Sequence, residues 1–480
     1  MSGERDHFTP WVELYRESES ASHVGRLSTS AGERGVYDCA SSCNRCMLCF
    51  DKCPTAVLTG DEAKSPRGRT QLIRMAMEQR LKLSSDGASM AESLETCLNC
   101  WTCVSACPSR VPVPELALEG LRSLGRRPQS PVMGFLLSRL SADRKSIEYP
   151  VKLFNLFRLS GLYGLLGSAG VFRLAGEEWL GRFNQAGLPA RLKFLDSKIK
   201  ESPAALKSAS MPPACYYFSS CSVNYFYPET GLSTLELLHA FVGPVHPLWN
   251  GCCGYAAYRH GRLQDARRAM KQVLYSYQRQ DIPVVTDCPS CAAFLKDSPQ
   301  LFAEDADLRD RARAFAANVR YIGDMITPDK FKAKLRLKKP VVAAAQKHCW
   351  GKAAPEAMRV TFNDSCIACH RLDAADAPRK MLCAVFGKRF AEMPESGMCC
   401  GGADGYALFQ PELSRDLGRR KAANAASVQA DLVATSSVLC VAQIGRSLKR
   451  YYPQAVVAHY SDLLRDLLDL KYHDNEKAGR

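Results

Sequence analysis

One cysteine spacing occurs twice in this chain and restricts its fold more than any other feature. In each copy, three cysteines stand three positions apart, and a fourth follows four positions later, directly before a proline. The two copies are Cys43–Pro54 and Cys97–Pro108. Three thiolates on a tight loop can hold one face of an iron–sulfur cubane, and the fourth, at the start of a helix, reaches the other cubane. The spacing therefore predicts two [4Fe–4S] clusters with exchanged fourth ligands.

This exchange fixes the expected ligands of both clusters. The first cluster is assigned to Cys43, Cys46, Cys49 and Cys107. The second cluster is assigned to Cys97, Cys100, Cys103 and Cys53. Structural zinc is the alternative, because zinc also uses paired cysteines, but it requires neither the third cysteine nor the trailing proline. Iron–sulfur is therefore preferred, and Cys39, which lies outside the spacing, is expected to be a free thiol.

The cysteines also indicate a reducing compartment. The chain has 22 cysteines among 480 residues, which is too dilute for a small disulfide scaffold, and its N-terminus lacks an apolar signal core. Closely spaced thiols in a reducing cytosol are typical of metal ligands. No run of 18 uncharged apolar residues is present, so no transmembrane helix is expected. We predict a cytoplasmic protein, with the inner membrane surface as a candidate peripheral location.

An internal repeat occupies the second half of the chain. Each copy has a short β-like run that leads into a cysteine, a helical stretch, a Cys-Cys-Gly triplet, another helix and a second β-like run before a last cysteine. The triplets begin at Cys252 and Cys399. Short strands that alternate with longer helices predict α/β units around a parallel sheet. The repeat therefore predicts two related Cys-Cys-Gly domains, residues 211–340 and 341–475.

The two copies of the repeat supply different numbers of thiols. The first copy provides Cys221, Cys252, Cys253, Cys288 and Cys291. The second copy provides Cys366, Cys399, Cys400 and Cys440, with Ser437 in the place of Cys288. Adjacent cysteines can ligate two irons of one cluster, and the glycine after them allows a close backbone approach. Because four thiols suffice for an ordinary [4Fe–4S] cluster, one or two further clusters are expected.

A short basic segment lies between the two cluster motifs. Ser65 is placed to cap a helix, and Pro66 suits the first helical position. The apolar residues that follow recur at helical spacing: Leu72, Ile73, Ala76, Met77 and Leu81. A core helix that joins the two cluster loops is the favoured interpretation. The alternative is that Arg67 and Arg69 neutralise cluster charge or meet an acidic partner.

One motif in the second copy is typical of a different cofactor. Cys366-Ile-Ala-Cys369-His370 matches the c-type haem attachment pattern. Haem attachment requires an exported domain, and Cys366 is already explained by the repeat, so His370 is taken as an ordinary residue. The cysteines that fit no spacing are expected to be buried apolar residues, namely Cys215, Cys349, Cys369 and Cys383.

Residues 121–210 form a basic, leucine-rich stretch. Between 121 and 200, fourteen Lys and Arg against five Asp and Glu supply +9 of the chain's net charge of +15. Leu153, Phe154, Phe157 and Gly161 fall near one helical face. The stretch predicts either a helix packed on the cluster domain or an amphipathic helix lying on anionic lipid. Nucleic acid is not an expected partner, because the charge is not interleaved with stacking aromatics.

These features together predict an α+β protein in which a helical domain precedes a duplicated α/β domain. The predicted order is a polar N-terminal arm (1–38), an α-helical ferredoxin-type domain for two clusters (39–120), a basic helical linker (121–210) and the two Cys-Cys-Gly domains (211–340 and 341–475).

With these motifs, the chain resembles the glycolate oxidase iron–sulfur subunit family. The wider group includes heterodisulfide reductase subunits and lactate-utilisation iron–sulfur proteins. The resemblance is carried by Ser65–Arg69, Cys97–Cys100, Ala106–Ser109 and Cys399–Gly402, and it covers about residues 39–470. It implies a non-cubane [4Fe–4S] cluster at the five-cysteine site. The chain departs from the family pattern at Ser437, and at Asn363, where a histidine is common.

The resemblance implies an electron-transfer subunit. Its flavoprotein partner would oxidise a 2-hydroxy acid such as glycolate or D-lactate, and a quinone or another acceptor would complete the transfer. The chain has no Gly-rich dinucleotide fingerprint between strand and helix, so it is not expected to bind flavin or nicotinamide itself. A second hypothesis is a heterodisulfide reductase-like subunit that reduces a disulfide or sulfur substrate at a Cys-Cys-Gly cluster. A zinc-bearing interaction module is the third, and no catalytic residue is assigned.

Overall fold

The computed structural model describes residues 26–29, 32–125, 130–249, 251–279, 281–336, 358–402 and 405–470. Short helices dominate these residues, and the strands form one antiparallel hairpin and two small parallel sheets. The predicted α+β class, with a helical domain before two α/β domains, is confirmed. Residues 1–25 of the N-terminal arm and Cys349 lie outside the described residues. No described helix is both long enough and apolar enough to cross a bilayer.

The N-terminal domain packs its helices around one apolar core, which includes Cys39, Ile73 and Leu94. A hairpin of β1 (Arg26–Thr29) and β2 (Gly32–Gly35) precedes the helices, where the sequence indicated only a loose arm. The helices are α1 (Val36–Ser41), α2 (Pro54–Thr59), α3 (Pro66–Met77), α4 (Leu83–Glu95), α5 (Thr102–Ser105) and α6 (Val113–Ser123).

Local sequence explains where helix α3 begins. The Ser65 hydroxyl accepts a hydrogen bond from the Gly68 amide at 2.9 Å, and Pro66 occupies the first helical turn. Gly68 packs closely on the 3-10 turn Glu62–Lys64. A Cβ at this glycine would stand 1.9 Å from the Glu62 carbonyl oxygen, so no larger residue fits without a backbone shift. The predicted cap is confirmed.

Residues 121–210, here called the basic segment and predicted as a helical linker, are helical and pack on the first Cys-Cys-Gly domain. Arg144 Nη2 donates to Ser219 Oγ at 3.0 Å, and the Tyr225 hydroxyl donates to the Arg144 carbonyl at 3.1 Å. Leu153 does not share the inward face of Phe154, because its side chain is 55% exposed. The helices are α7 (Pro131–Ala142), α8 (Arg144–Leu159), α9 (Leu162–Ser168), α10 (Val171–Leu174), α11 (Glu178–Gly181), α12 (Leu195–Ile199) and α13 (Pro203–Ser208).

The first Cys-Cys-Gly domain is built on a parallel sheet of four short strands. These strands are β3 (Cys215–Tyr217), β4 (Val245–Pro247), β5 (Val284–Thr286) and β6 (Val319–Tyr321), and their order in the sheet is β4–β3–β5–β6. The helices are α14 (Cys221–Phe226), α15 (Pro228–Phe241), α16 (Tyr255–Arg259), α17 (Leu263–Ser276), α18 (Pro289–Lys296), α19 (Ala306–Asn318), α20 (Ile322–Met325) and α21 (Pro328–Lys334).

The second Cys-Cys-Gly domain repeats this plan with a smaller sheet. Its strands are β7 (Val360–Asn363), β8 (Leu432–Thr435) and β9 (Val456–His459), all parallel in that order. Where the first domain has β4, a single parallel bridge joins Val360 to Phe390. The helices are α22 (Cys366–His370), α23 (Asp376–Phe386), α24 (Tyr406–Phe409), α25 (Pro411–Ser427), α26 (Val438–Tyr451) and α27 (Tyr460–Leu467).

The two Cys-Cys-Gly domains pack on each other through a shared apolar core. At its edge, the Thr230 hydroxyl donates to Asp462 Oδ2 at 2.7 Å, and Arg465 Nε lies 2.9 Å from Glu236 Oε2. These contacts join α15 of the first domain to α27 of the second. The pair therefore forms one packed body instead of two domains connected by a linker.

The unassigned cysteines divide between core and surface. Cys215 is buried in β3, as predicted, and Cys369 is half-buried. Cys383 is exposed on α23, so the prediction of a buried apolar residue is wrong there. A helix that is apolar on one stripe presents its other positions to solvent, and Cys383 falls on the outer side of α23.

Candidate iron–sulfur sites

The two cluster loops share an unusual backbone geometry. Arg45 and Met47 in the first loop, and Asn99 and Trp101 in the second, have positive φ angles between 50° and 68°. They occupy the second and fourth positions after the first cysteine of each motif. Left-handed backbone is costly for residues with a Cβ. Here it curls each loop so that its three cysteines can face one cluster.

The first group of thiols, called cluster site 1, comprises Cys43, Cys46, Cys49 and Cys107. Burial, together with the nearby Cys43, Cys107 and Cys53 thiolates, raises the pKa of Cys49 to about 11. Cys107, from the second motif, thus lies beside the first loop, as the exchanged assignment predicts. Cys46 and its loop neighbours, residues 44–48, are exposed at the protein surface.

The second group, called cluster site 2, comprises Cys97, Cys100, Cys103 and Cys53. All four are buried. Burial raises the pKa of Cys103 well above its usual range, and the Cys100, Cys97 and Cys53 thiolates add to the shift. Cys53, from the first motif, therefore lies with the second loop. The Cys49 thiolate also contributes, which places the two cluster sites next to each other.

Arg69 of α3 is a buried cation beside cluster site 2, with only 1% of its surface exposed. Its guanidinium donates to the Ser93 carbonyl at 3.0 Å, to Thr96 Oγ1 at 2.8 Å and to Thr55 Oγ1 at 3.0 Å. Its Nη1 also lies 3.9 Å from Cys53 Sγ. Both interpretations of the segment Ser65–Arg69 hold here, because α3 is a core helix and Arg69 places a positive charge beside the thiols.

The five thiols of the first copy form the first Cys-Cys-Gly site. The Sγ atoms of Cys253 and Cys291 are 3.4 Å apart, and hydrogen bonds link Cys221 to Cys252 and Cys291 to Cys288. Hydrogen bonds from Cys252 and Cys291 lower the pKa of Cys253 to about 6. The structure therefore brings the five thiols of the first copy together.

The second Cys-Cys-Gly site has the same plan with one thiol fewer. The Sγ atoms of Cys400 and Cys440 are also 3.4 Å apart, and a hydrogen bond links Cys366 to Cys399. Hydrogen bonds from Cys399 and Cys440 lower the pKa of Cys400. The Ser437 hydroxyl is hydrogen-bonded to Cys440. A hydroxyl thus stands inside the site at the position predicted from the repeat.

Helix capping confirms that Cys288 and Ser437 are equivalent. Cys288 is the N-cap of α18, directly after strand β5. Ser437 is the N-cap of α26, directly after strand β8. Because the carboxyl ends of parallel strands meet at one edge of a sheet, both residues face the cluster side of their domain.

The glycine of each triplet allows the cysteine pair to approach the following long helix. Gly254 has φ +92°, and a Cβ there would stand 3.3 Å from Ala269 Cβ. Gly401 has φ +81°, and a Cβ there would stand 3.1 Å from Leu417 Cδ1. Both glycines therefore meet the predicted need for left-handed backbone and close packing.

The contacts of the two glycines match Ala269 on α17 with Leu417 on α25. One helical turn later, four residues on, α17 has Val273 and α25 has Lys421. The first repeat therefore has an apolar residue where the second has a cation. Lys421 is buried at 2% exposure. Its Nζ donates to the Glu395 carbonyl at 2.5 Å and to the Ser396 carbonyl at 3.1 Å. Burial lowers the pKa of Lys421, and the Cys400, Cys399 and Cys440 thiolates oppose that shift.

Lys421 is expected to raise the reduction potential of a cluster at the second Cys-Cys-Gly site. A buried cation favours the more negative, reduced cluster. Lys421→Met should therefore lower the potential by on the order of 60 mV, which corresponds to a tenfold change in a one-electron equilibrium. A redox titration followed by electron paramagnetic resonance measures it, with Lys421→Arg as the charge-preserving control. Equal potentials in the Met and Arg variants would show that the charge has no effect.

Cluster site 2 lies against the second Cys-Cys-Gly site. Burial is the largest cause that raises the pKa of Cys100, and the nearby Cys366 thiolate is the second largest. Cys100, Cys366 and Cys399 share one buried cluster of side chains. Tyr406 spans the same boundary, because its hydroxyl donates to the Thr96 carbonyl at 2.9 Å. The helical domain is therefore docked with its second cluster facing the second repeat.

Arg371 connects the helical domain to both Cys-Cys-Gly domains. Its guanidinium lies 4.0 Å from the centre of the Trp101 ring and 3.8 Å from Glu115 Oε1. It also pairs with Asp297 at the end of α18. Glu115 and Trp101 belong to the helical domain, Asp297 to the first repeat and Arg371 to the second, so one side chain joins all three.

His370 takes part in the same boundary through both of its ring nitrogens. Its Nδ1 lies 3.0 Å from the Ser105 hydroxyl and its Nε2 lies 3.1 Å from the Gly397 carbonyl. Burial lowers its pKa, which favours the neutral ring. Among the described residues, no three His, Cys, Asp or Glu side chains converge closely enough to hold a single metal ion.

Comparison with protein-family models matches the domain order of the structure. A family described as "4Fe-4S dicluster domain" matches residues 38–111. A family described as "Cysteine-rich domain" matches residues 215–296 and again residues 360–445. The helical domain and the duplicated repeat are therefore each recognised independently.

Curated relatives cover both parts of the chain. The probable glycolate oxidase iron–sulfur subunit of Bacillus subtilis is 28% identical over 436 residues, which are 88% of this chain and 93% of that protein. The chain is therefore similar to glycolate oxidase iron–sulfur subunits over most of its length. A fumarate reductase (CoM/CoB) subunit of Methanothermobacter marburgensis is 24% identical over 90% of this chain and 72% of that protein. Lactate utilization protein A of a Geobacillus strain is 27% identical over 52% of this chain and 97% of that protein.

Sequence reasoning singled out Arg69 but missed two other cations of these sites, Lys421 and Arg371. Lys421 stands in a charged, helical stretch and carries no local signal. Arg371 follows the haem-like motif, which drew attention to His370 instead. Alignment of the two copies of the repeat could have found Lys421, because a lysine replaces the apolar Val273. No sequence signal identifies Arg371, since its partners come from distant parts of the chain.

Proposed function

We propose that the chain is the iron–sulfur electron-transfer subunit of an oxidoreductase. It passes electrons between a flavoprotein 2-hydroxy-acid dehydrogenase, acting on glycolate or D-lactate, and a quinone or another acceptor. The observation that carries the proposal is the order of the four thiol groups. They run from an exposed loop at one end to an interior site at the other, and each adjoins the next.

The donor sets suit iron–sulfur clusters. Soft thiolates in groups of four or five are the ligands that [4Fe–4S] clusters use. We propose that cluster sites 1 and 2 and the second Cys-Cys-Gly site each hold one cluster, and that the five thiols of the first Cys-Cys-Gly site hold a non-cubane cluster. When bound, such clusters supply single-electron transfer at potentials set by charge, hydrogen bonds and exposure.

The order of the sites follows from their contacts. Cys49 and Cys103 place cluster sites 1 and 2 side by side, and Cys100 and Cys366 join cluster site 2 to the second Cys-Cys-Gly site. Helices α18 and α22 then pack together across the two repeats. We therefore propose that electrons pass the four sites in this order, with the first Cys-Cys-Gly site last.

The exposed end of this line is the proposed flavoprotein contact. Residues 44–48 are exposed around Cys46, and they include the apolar Met47 and Leu48, which are 37% and 57% exposed. A small apolar patch beside a cluster loop suits a partner that must bring its flavin close. Electrons from the hydroxy acid would enter here.

The basic segment supports a peripheral membrane location. Leu153, Leu156 and Leu159 on α8, and Leu162 and Leu165 on α9, are each at least 49% exposed. Exposed leucines next to basic residues are typical of surfaces that rest on anionic lipid. We propose that this face lies on the cytoplasmic side of the membrane, where a quinone is available.

A heterodisulfide reductase-like activity is the second candidate. The similarity to the fumarate reductase (CoM/CoB) protein of Methanothermobacter marburgensis extends over 90% of this chain, and the five-thiol site is complete. Under this alternative, the isolated protein with a chemical electron donor reduces a disulfide. Under the first proposal it does not, and electrons reach the acceptor from the flavoprotein.

Anaerobic purification with any associated flavoprotein tests the proposed function. The complex should reduce a quinone analogue when glycolate or D-lactate is added, and removal of the flavoprotein should stop this. A chain that purifies alone, and accepts no electrons from a hydroxy-acid flavoprotein expressed with it, contradicts the proposal.

The iron content is expected to be about twelve or more atoms per chain. Three or four [4Fe–4S] clusters account for this number. Iron and acid-labile sulfide should be measured on anaerobically reconstituted protein, with zinc measured in parallel as a control. Eight iron atoms or fewer would remove the proposed clusters from the repeats.

Cys53→Ser is expected to disturb cluster site 2 and leave cluster site 1 intact. Cys53 lies with Cys100 and Cys103, although its sequence neighbours belong to the first motif. Cys107→Ser is the matched control and should disturb cluster site 1. Electron paramagnetic resonance of the two variants separates the signals. If each serine alters the cluster of its own motif, the exchanged assignment is wrong.

A further inference from the structure

A cavity of about 490 Å³ lies between the basic helical segment and the first Cys-Cys-Gly site. One wall is formed by α7 and α8, with Leu136, Phe154 and Phe157 among the lining side chains. Trp179 on α11 closes part of the same wall. The opposite wall belongs to the first repeat. The segment predicted as a linker therefore encloses a space directly above the thiols.

All five thiols of the first Cys-Cys-Gly site line this cavity: Cys221, Cys252, Cys253, Cys288 and Cys291. No cysteine of the other three sites is among the described lining residues, and the second repeat contributes only Leu439 to them. The first Cys-Cys-Gly site is thus both the last in the line and the one that opens into a ligand-sized space. A space of this volume suits a small organic ligand.

The chemistry of the walls narrows the ligand class. The lining side chains are aliphatic or aromatic, apart from the thiols and the hydroxyls of serine and tyrosine. Within the part of the chain that the structure describes, no lysine, arginine, histidine, aspartate or glutamate lines the cavity. Burial of a charged substrate there would be costly, because these walls offer no opposite charge. A neutral ring with an apolar tail fits them, whereas a carboxylate- or sulfonate-bearing disulfide does not.

The cavity also lies close to the exposed leucines. Helix α8 turns Phe154 and Phe157 toward the cavity and turns Leu153 and Leu156 toward solvent. Val132 on α7 both lines the cavity and is 37% exposed, so it stands at the cavity mouth. A ligand that enters past Val132 can keep an isoprenoid tail along this apolar surface.

We propose, building on the function above, that this cavity binds the ring of an isoprenoid quinone and that the quinone is reduced there. The balanced reaction is one quinone plus two electrons and two protons, which gives one quinol. The electrons come from the hydroxy acid oxidised by the flavoprotein and arrive singly along the four sites. The protons come from water. Ser220 and Ser222, which flank Cys221 in the sequence, line the cavity, and their hydroxyl oxygens are 3.1 Å apart.

Photolabelling tests the site without depending on turnover. A short-chain azidoquinone should label peptides of α7 and α8 in the cluster-loaded full chain, and unlabelled quinone should compete. Val132→Trp should reduce labelling about tenfold by filling the mouth, which corresponds to about a tenfold loss of affinity. Phe135→Trp is the matched control, because Phe135 lies on the same helix, is 53% exposed and does not line the cavity. Its labelling should stay within about twofold of the unmodified chain.

Two results would contradict the proposed site: labelling that maps outside the basic segment 121–210 and the first repeat, or labelling that Val132→Trp leaves unchanged. A second measurement separates this failure from that of the proposed function. Protein reduced chemically, freed of excess reductant and mixed with the quinone should form quinol with no flavoprotein present. If the chemically reduced protein forms quinol but the chain accepts no electrons from a hydroxy-acid flavoprotein, the proposed function is contradicted and the cavity is supported. Flavoprotein-driven reduction of the chain without labelling of the cavity contradicts the cavity alone.

Discussion

Cys253→Ala is expected to remove one unusual cluster and to stop electron transfer to the acceptor. Cys253 lies inside the first Cys-Cys-Gly site, where it is hydrogen-bonded to Cys252 and its Sγ lies 3.4 Å from Cys291 Sγ. Iron content should fall by about four atoms per chain. Quinone reduction should fall more than about 100-fold, because even changes to residues outside the ligand shell cost 10- to 100-fold. Iron analysis and electron paramagnetic resonance measure the first effect, and quinone reduction measures the second.

The equivalent change in the second repeat provides the control. Cys400→Ala should remove a different signal, since four thiolates and Ser437 cannot complete a five-thiolate cluster. A neutral hydroxyl is a much poorer iron ligand than a thiolate. Ser437→Cys should make the spectrum of the second site approach that of the first. Identical spectra from the two sites in the unmodified protein would contradict the proposed asymmetry.

Arg69→Met is expected to destabilise the helical domain and to lower the reduction potential of cluster site 2. The substitution removes the arginine donor from the buried Thr55 and Thr96 hydroxyl oxygens, whereas the Ser93 carbonyl keeps the Thr96 hydroxyl as a donor. Each buried acceptor left without a donor costs about 1–3 kcal/mol. Loss of the positive charge 3.9 Å from Cys53 Sγ also disfavours the reduced cluster. Thermal unfolding and a redox titration measure the two effects separately.

Arg67→Met is the matched control for this prediction. Arg67 lies two residues away on the same helix, but it pairs with Glu62 at a half-exposed position. Exposed ion pairs contribute about 0–1 kcal/mol, so this variant should unfold close to the unmodified protein. If both arginines prove equally dispensable, Arg69 has neither a structural nor an electrostatic role at cluster site 2.

The sequence predicted the parts of the fold that short-range patterns determine. The cap at Ser65, the strands that precede Cys221 and Cys288, and the equivalence of Cys288 and Ser437 all depend on residues close together in the chain. The neighbours within each Cys-Cys-Gly site followed from the repeat. Cysteine spacing is informative because the ligands of one cluster must converge, which few backbone arrangements allow.

Long-range packing explains what the sequence did not show. Strands β4, β6 and β9 are only three or four residues long, and their pairing depends on neighbours that are far apart in sequence. The cavity needs the basic segment to fold back over the first repeat. Apolar residues on α8 are equally compatible with a core, a membrane contact and a ligand wall, and only the tertiary arrangement separates Phe154 from Leu153.

Arg371 joins the three domains that hold the proposed electron path. Its guanidinium contacts Trp101 and Glu115 and pairs with Asp297 at a partly buried point. Salt screens buried pairs much less than exposed ones. Under the proposed function, the chain is therefore expected to carry electrons as one packed body. Its throughput should depend little on viscosity or ionic strength, and regulation falls to the docking of partners at its two ends.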